Sequence, residues 1–228
     1  MIRYNTFYLI HKTLRAMLYD TALMLQQTDF ANYTEARAAL AKINEVLFAF
    51  DNHAHHEDSF IIPAVETFEP ALAASFEKEH VEDLRISNRL KNIIVIYENT
   101  FFPEERALCG SAITRSFTEF LVFNLEHMAK EELLLNQVLW EHYTDEQIMA
   151  IHQQLMAVIP QEHIEQTSKW MMRAISTADA AGWLKHVKAT APEFIFNRLI
   201  STAQEELSEI RFATVLEMLE EEEEAATV

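Results

Sequence analysis

The sequence predicts an all-α protein: an up-down-up-down four-helix bundle followed by a C-terminal helical extension. Three observations predict it. Apolar residues recur at offsets of three and four almost throughout, and the strict alternation of a half-buried strand is absent. Only 2 glycines and 5 prolines occur in 228 residues, too few for a dinucleotide-binding sheet, a phosphate loop or a β-sandwich. Half of the residues are hydrophobic and 11% are aromatic, ample material for a packed core.

The elements follow in order. The stripe of Phe7, Leu14 and Leu18 predicts a first helix over residues 3–28, closed by the polar turn at Asp29. A second is expected over residues 33–68, bent or ended near its last turns by Pro63. Pro70 suits the first position of a third helix that reaches Asn99. Residues 100–110 hold Pro103 and Gly110 and read as a loop that also carries Cys109; a fourth helix then runs over residues 111–143. Thr144 and Gln147 form a capping box for a fifth helix, which Pro160 interrupts. Helical segments over residues 164–176 and 180–190 lead to Pro192 and a last helix near Glu217. The expected organisation is therefore a bundle over residues 1–145, a helical extension over 146–219 packed on it, and an acidic disordered tail over 220–228.

Charge and cysteine content narrow the function. The balance of 18 Lys+Arg against 36 Asp+Glu gives a net charge of −18, which repels phosphate backbones and argues against nucleic acid as a partner. The single cysteine, Cys109, makes no internal disulfide and suits a reducing compartment. The N-terminal stretch has charges and a histidine within its apolar run, unlike a signal peptide, and no apolar run approaches bilayer length. The expectation is a cytoplasmic protein without a membrane partner.

The informative residues are histidines. Of 10, four fall one per bundle helix inside the apolar stripe: His11, His53, His80 and His127. Two carry a glutamate one turn later, Glu57 after His53 and Glu131 after His127, so each pair shares a helix face. Glutamate is seldom buried without a partner, and a metal ion supplies that compensation. Spacing places the histidines at one level. The arms from ligand to turn are 18 and 20 residues, 11 and 10, then 19 and 16, which agree to within about 5 Å at 1.5 Å per residue. Six such ligands suit two ions, with both glutamates bridging and two histidines on each; iron fits mixed N/O ligation, and Mn or Zn are substitutes. Asp58 and Glu132, one place beyond the glutamates, are fallback ligands, whereas His55, His56, His142, His152, His163 and His186 have no ligand role.

The order His11, His53-x-x-x-Glu57, His80, His127-x-x-x-Glu131, with the stretch HHEDSFIIP, resembles the hemerythrin-like (HHE cation-binding) proteins over residues 1–145. The resemblance implies a four-helix bundle holding a non-haem di-iron centre, bridged by the two glutamates and an oxo or hydroxo group. Oxygen-carrying hemerythrins have a second histidine four residues after the one matching His80, where this chain has Leu84. Their last helix also differs, carrying a differently spaced aspartate, whereas this chain has Glu131. The ligand set is more similar to that of the bacterial iron-sulfur-cluster repair proteins. Since His11 already lies in the first helix, the N-terminal cysteine-bearing domain of those proteins is not expected.

The expected function is binding of a small diatomic ligand, O2 or NO, in oxidative or nitrosative stress response or iron handling. Leu84 would leave a coordination position open, and Phe7, Phe50 and Phe123 would keep the pocket dry. Two alternatives stay open: a di-iron enzyme turning over O2, peroxide or NO, and a metal-dependent sensing or interaction module acting through the C-terminal helices. A homodimer is also open, and no residue pattern names an electron donor.

Overall fold

Apolar stripes at helical spacing, closed by short polar turns, give helices of the expected order with several shifted ends. A computed structural model describes residues 3–227, and their side chains through residue 220. Among these residues there is no strand, and no helix is long and apolar enough to cross a membrane. Helix α1 spans Tyr8–Gln27 and α2 spans Tyr33–His56, the latter capped by Asn32, whose side chain accepts from the N–H groups of Thr34 and Glu35. The chain does not stop at His56. It passes through a π-helical turn, π1 (Glu57–Ile61), into a short α3 (Ile62–Glu66). Pro63 lies in the first turn of α3, directly after the π turn, and the helix ends at Glu66, near the expected last turns.

Helix α4 is Pro70–Glu98 and α5 is Pro103–Lys130, followed by a second π turn, π2 (Glu131–Leu135), and α6 (Asn136–His142). The expected loop over residues 100–110 is thus a correction: Pro103 starts α5, and both Cys109 and Gly110 are helical. Proline marked a helix start there, and the glycine has a packing reason. A Cβ on Gly110 would lie 2.2 Å from Cβ and Cγ of Phe30, so only a bare backbone lets α5 approach the α1–α2 turn. The carbonyl of Phe30 in turn accepts a 2.8 Å bond from the buried Tyr97 hydroxyl of α4.

The chain forms two compact units, Met1–Val158 and Ile159–Val228. In the first, α1 packs against α2 and α5, and α4 packs against α2 and α5, a closed ring of neighbours. Helix α7 (Asp145–Val158) belongs to this unit, beyond the expected boundary at residue 145. Its Ile148 is buried in one cluster with Phe7, Ile61, Phe76 and Leu135, and Arg3 clamps its first residue, Asp145, at 2.6 Å. The expected Thr144–Gln147 capping box starts it, with reciprocal bonds of 2.8 and 3.3 Å.

The second unit consists of α8 (Gln161–Ala174), α9 (Thr177–Thr190), α10 (Glu193–Glu206) and α11 (Glu209–Thr227). Trp170, Met172, Leu184, Leu199, Ala203 and Val215 are buried. Ser176 and Asp179 make a reciprocal capping box for α9. The backbone of α11 continues helically through the acidic run to Thr227, whereas side chains 221–228 of the expected tail lie outside the described residues.

Candidate metal centre

The helix stripes bring all six expected ligands to one place. His11 comes from α1, His53 from α2, His80 from α4 and His127 from α5, while Glu57 and Glu131 open the two π turns. His11, His53, Glu57 and Glu131 form one group able to hold a metal ion; Glu57, His80, His127 and Glu131 form a second. In each group the donor atoms lie within 4.8 Å of one another, and both glutamates belong to both groups. Each glutamate turns one oxygen toward each histidine pair. Glu57 Oε1 lies 3.2 Å from His53 Nε2 and Oε2 lies 3.5 Å from His80 Nε2. Glu131 Oε1 lies 2.9 Å from His127 Nε2 and Oε2 lies 3.5 Å from His11 Nε2.

These contacts are close in distance but not in hydrogen-bonding geometry. All four carboxylate oxygens of Glu57 and Glu131 are buried without a hydrogen-bond partner. The residues are 2% and 0% exposed, so the lone pairs do not reach water, and no donor meets them in hydrogen-bonding geometry. The imidazoles show the same convergence. His11 and His53 face each other Nε2 to Nε2 at 3.1 Å, as do His80 and His127. Two nitrogens 3.1 Å apart, bonded to one ion at about 2.1 Å, subtend about 95°, close to an octahedral angle.

The far side of each ring explains why Nε2 points inward. His11 Nδ1 lies 3.0 Å from Glu132, His80 Nδ1 2.6 Å from Asp58, and His127 Nδ1 2.9 Å from Glu79. An Nδ1–H donated to a carboxylate leaves the Nε2 lone pair for the centre, the usual support of a metal-ligating imidazole. Arg15 at 2.7 Å and Lys130 at 2.8 Å steady Glu132 and Glu79. Asp58 and Glu132 are therefore not fallback ligands: neither belongs to the metal-holding groups, and each braces a histidine from another helix. Glu79, which the sequence reading missed, sits one place before His80 and braces His127 instead. Its only signal in the sequence is an acidic residue beside a ligand.

The π turns place these acids. A π turn opens the helix by one residue, with the N–H of Ile62 donating to Glu57 O and that of Asn136 donating to Glu131 O. Such single wide turns recur at functional sites. Here each starts at one of the two shared glutamates and presents the next acid, Asp58 or Glu132, to a histidine across the unit.

Electrostatics match this geometry. Burial alone would depress His11, but Glu132, Glu57 and Glu131 lift it to about 9. Burial is likewise outweighed at His80, which Glu131, Glu57 and Asp58 raise to about 11, and at His127, raised by Glu131 and Glu79. At His53 burial wins and drives the pKa down to about 3. Burial pushes Glu131 up, yet the imidazoles of His127 and His80 hold it near 2; Glu57 is lowered in the same manner. The centre is thus two buried anions held by cationic neighbours, and a metal cation would take the place of those protons.

The donor set is nitrogen and oxygen alone, which suits iron, manganese or zinc. Cys109 is about 27 Å along α5 from His127 and takes no part. Phe123 stacks on His127 and Phe7 packs at a tilt against His11, with ring centroids 6.0 and 5.1 Å apart. Leu84 is not where the sequence placed it: it is 51% exposed and does not line the centre, because the inward face of α4 runs through His80, Asp83 and Ser87. Compared with known proteins, the chain matches no protein family, no curated sequence and no solved structure.

Glu79→Gln is expected to weaken metal binding by about 10–100-fold while leaving the fold intact, because His127 loses its charged brace. Competition with a chromophoric chelator measures the change; an unaltered affinity would remove Glu79 from the support of the centre.

Proposed function

We propose that the first unit is a hemerythrin-like, up-down-up-down four-helix bundle that holds two non-haem iron ions and binds a small diatomic ligand, O2 or NO. One observation carries the reading: two facing histidine pairs share two buried glutamates, each with one oxygen toward either pair and no hydrogen bond on any of them. Two imidazole nitrogens and one oxygen from each glutamate give each ion four protein donors. An octahedral ion takes six, so positions remain for a small molecule. The ions would supply a redox-active centre with room for that ligand; His11, His53, His80 and His127 would hold it and Glu57 and Glu131 would bridge it.

The protein's own residues set the conditions. The three bracing carboxylates keep Nε2 in its ligating form, and the phenyl rings around His11 and His127 exclude water. The proposed setting is a reducing cytoplasm, in defence against oxidative or nitrosative stress. The test is elemental analysis of protein produced with iron and purified without chelator, followed by optical spectra of the reduced protein on exposure to O2 and NO. About two irons per chain and a ligand-dependent spectrum are expected. A folded protein that takes up no metal on reloading would overturn the reading.

A further inference from the structure

The four candidate imidazole ligands are not equally supported. His11, His80 and His127 each turn Nδ1 to a carboxylate from another element, Glu132, Asp58 and Glu79. His53 has no such acid. Its Nε2 faces His11 at 3.1 Å and Glu57 at 3.2 Å, and among the described residues no group hydrogen-bonds its Nδ1. That nitrogen is not sealed in the core either, so water is the partner left to it. The side chain of His53 is 12% exposed, against 0% for His11, 6% for His80 and 5% for His127.

The difference falls on one side of the centre. Both rings of the pair His80–His127 are braced, and His127 also packs against Phe76 and Phe123. In the pair His11–His53 only His11 is braced. A brace fixes the ring and its tautomer and makes Nε2 a better donor, and its loss costs about 10–100-fold in metal affinity. We infer that the two metal positions are unequal: the pair His80–His127 retains its ion, while the pair His11–His53 is an exchangeable position that fills second, empties first and opens on the side of His53. The ligand class is a divalent first-row cation, as the nitrogen and oxygen donors require. The inference rests on the proposed two-ion centre and adds to it an order of loading and release.

The test is competition between a chromophoric chelator and the full chain, loaded with ferrous iron under anaerobic conditions. The native protein should release its iron in two steps of one ion each, at affinities at least about tenfold apart. His53→Ala should lack the weak step and keep the tight one. Two further substitutions should move the steps in opposite senses. Glu79→Gln leaves one braced and one unbraced ring in each pair, so the two steps should converge. Glu132→Gln removes the last brace of the weak pair, so they should separate further. A general loss of stability would shift both steps together in either variant. Should Glu79→Gln fail to fold, Asp58→Asn makes the same change at His80. A native protein that binds two irons and releases them in one unresolved step would overturn this inference alone, as would steps that separate further in Glu79→Gln. A folded native protein that takes up no second ion would overturn the two-ion reading and this inference with it.

Discussion

Glu131→Ala is expected to empty the centre, lowering the metal content from about two ions per chain to near zero, because both positions share that side chain. The substitution removes two donor oxygens and also strands His127 and His80, whose raised pKa values depend on Glu131. His53→Ala should act differently. It deletes one nitrogen from one position only, and the group of Glu57, His80, His127 and Glu131 is left complete, so about one ion per chain should remain. His163→Ala, in the second unit, should load like the native protein. Elemental analysis of the three variants, with helicity followed by circular dichroism, makes the comparison. Equal loading in all three would break the assignment of the centre.

Metal removal should have the second-largest effect. Six polar groups converge on the centre, and the four glutamate oxygens have no hydrogen bond. Each such group costs roughly 1–3 kcal/mol when unsatisfied in a core. An ion present at about a thousand times its dissociation constant contributes about 4 kcal/mol to the folded state. For a chain of 228 residues this corresponds to a fall in Tm on chelation of about 10 °C. Calorimetry before and after exhaustive chelation, with restoration on adding back iron, tests it. A Tm that stays put would mean that the imidazole–carboxylate contacts satisfy the centre unaided.

How far the centre was legible in the sequence follows from the range of the interactions involved. The six candidate ligands could be read because each lies on the apolar face of its own helix, and a helix face is a matter of offsets of three, four and seven residues. The shared level of the histidines followed from the constant rise per residue between short turns. Ends were harder. Pro103 starts α5 instead of breaking it, since proline suits the first turn of a helix as well as a loop, and Gly110, within α5, marks the close approach of Phe30, eighty residues earlier, and not a turn.

Composition and periodicity by themselves determined the helical class, the stripe on each long helix and the inward position of His11, His53, Glu57, His80, His127 and Glu131. These depend on neighbours within two turns. Tertiary structure alone decided which acid meets which Nδ1, that the helices open into π turns at Glu57 and Glu131, that α7 joins the first unit, and that Asp83, rather than Leu84, is buried on α4. Those facts depend on the rotation of each helix against its neighbours, and packing between residues distant in sequence sets that rotation.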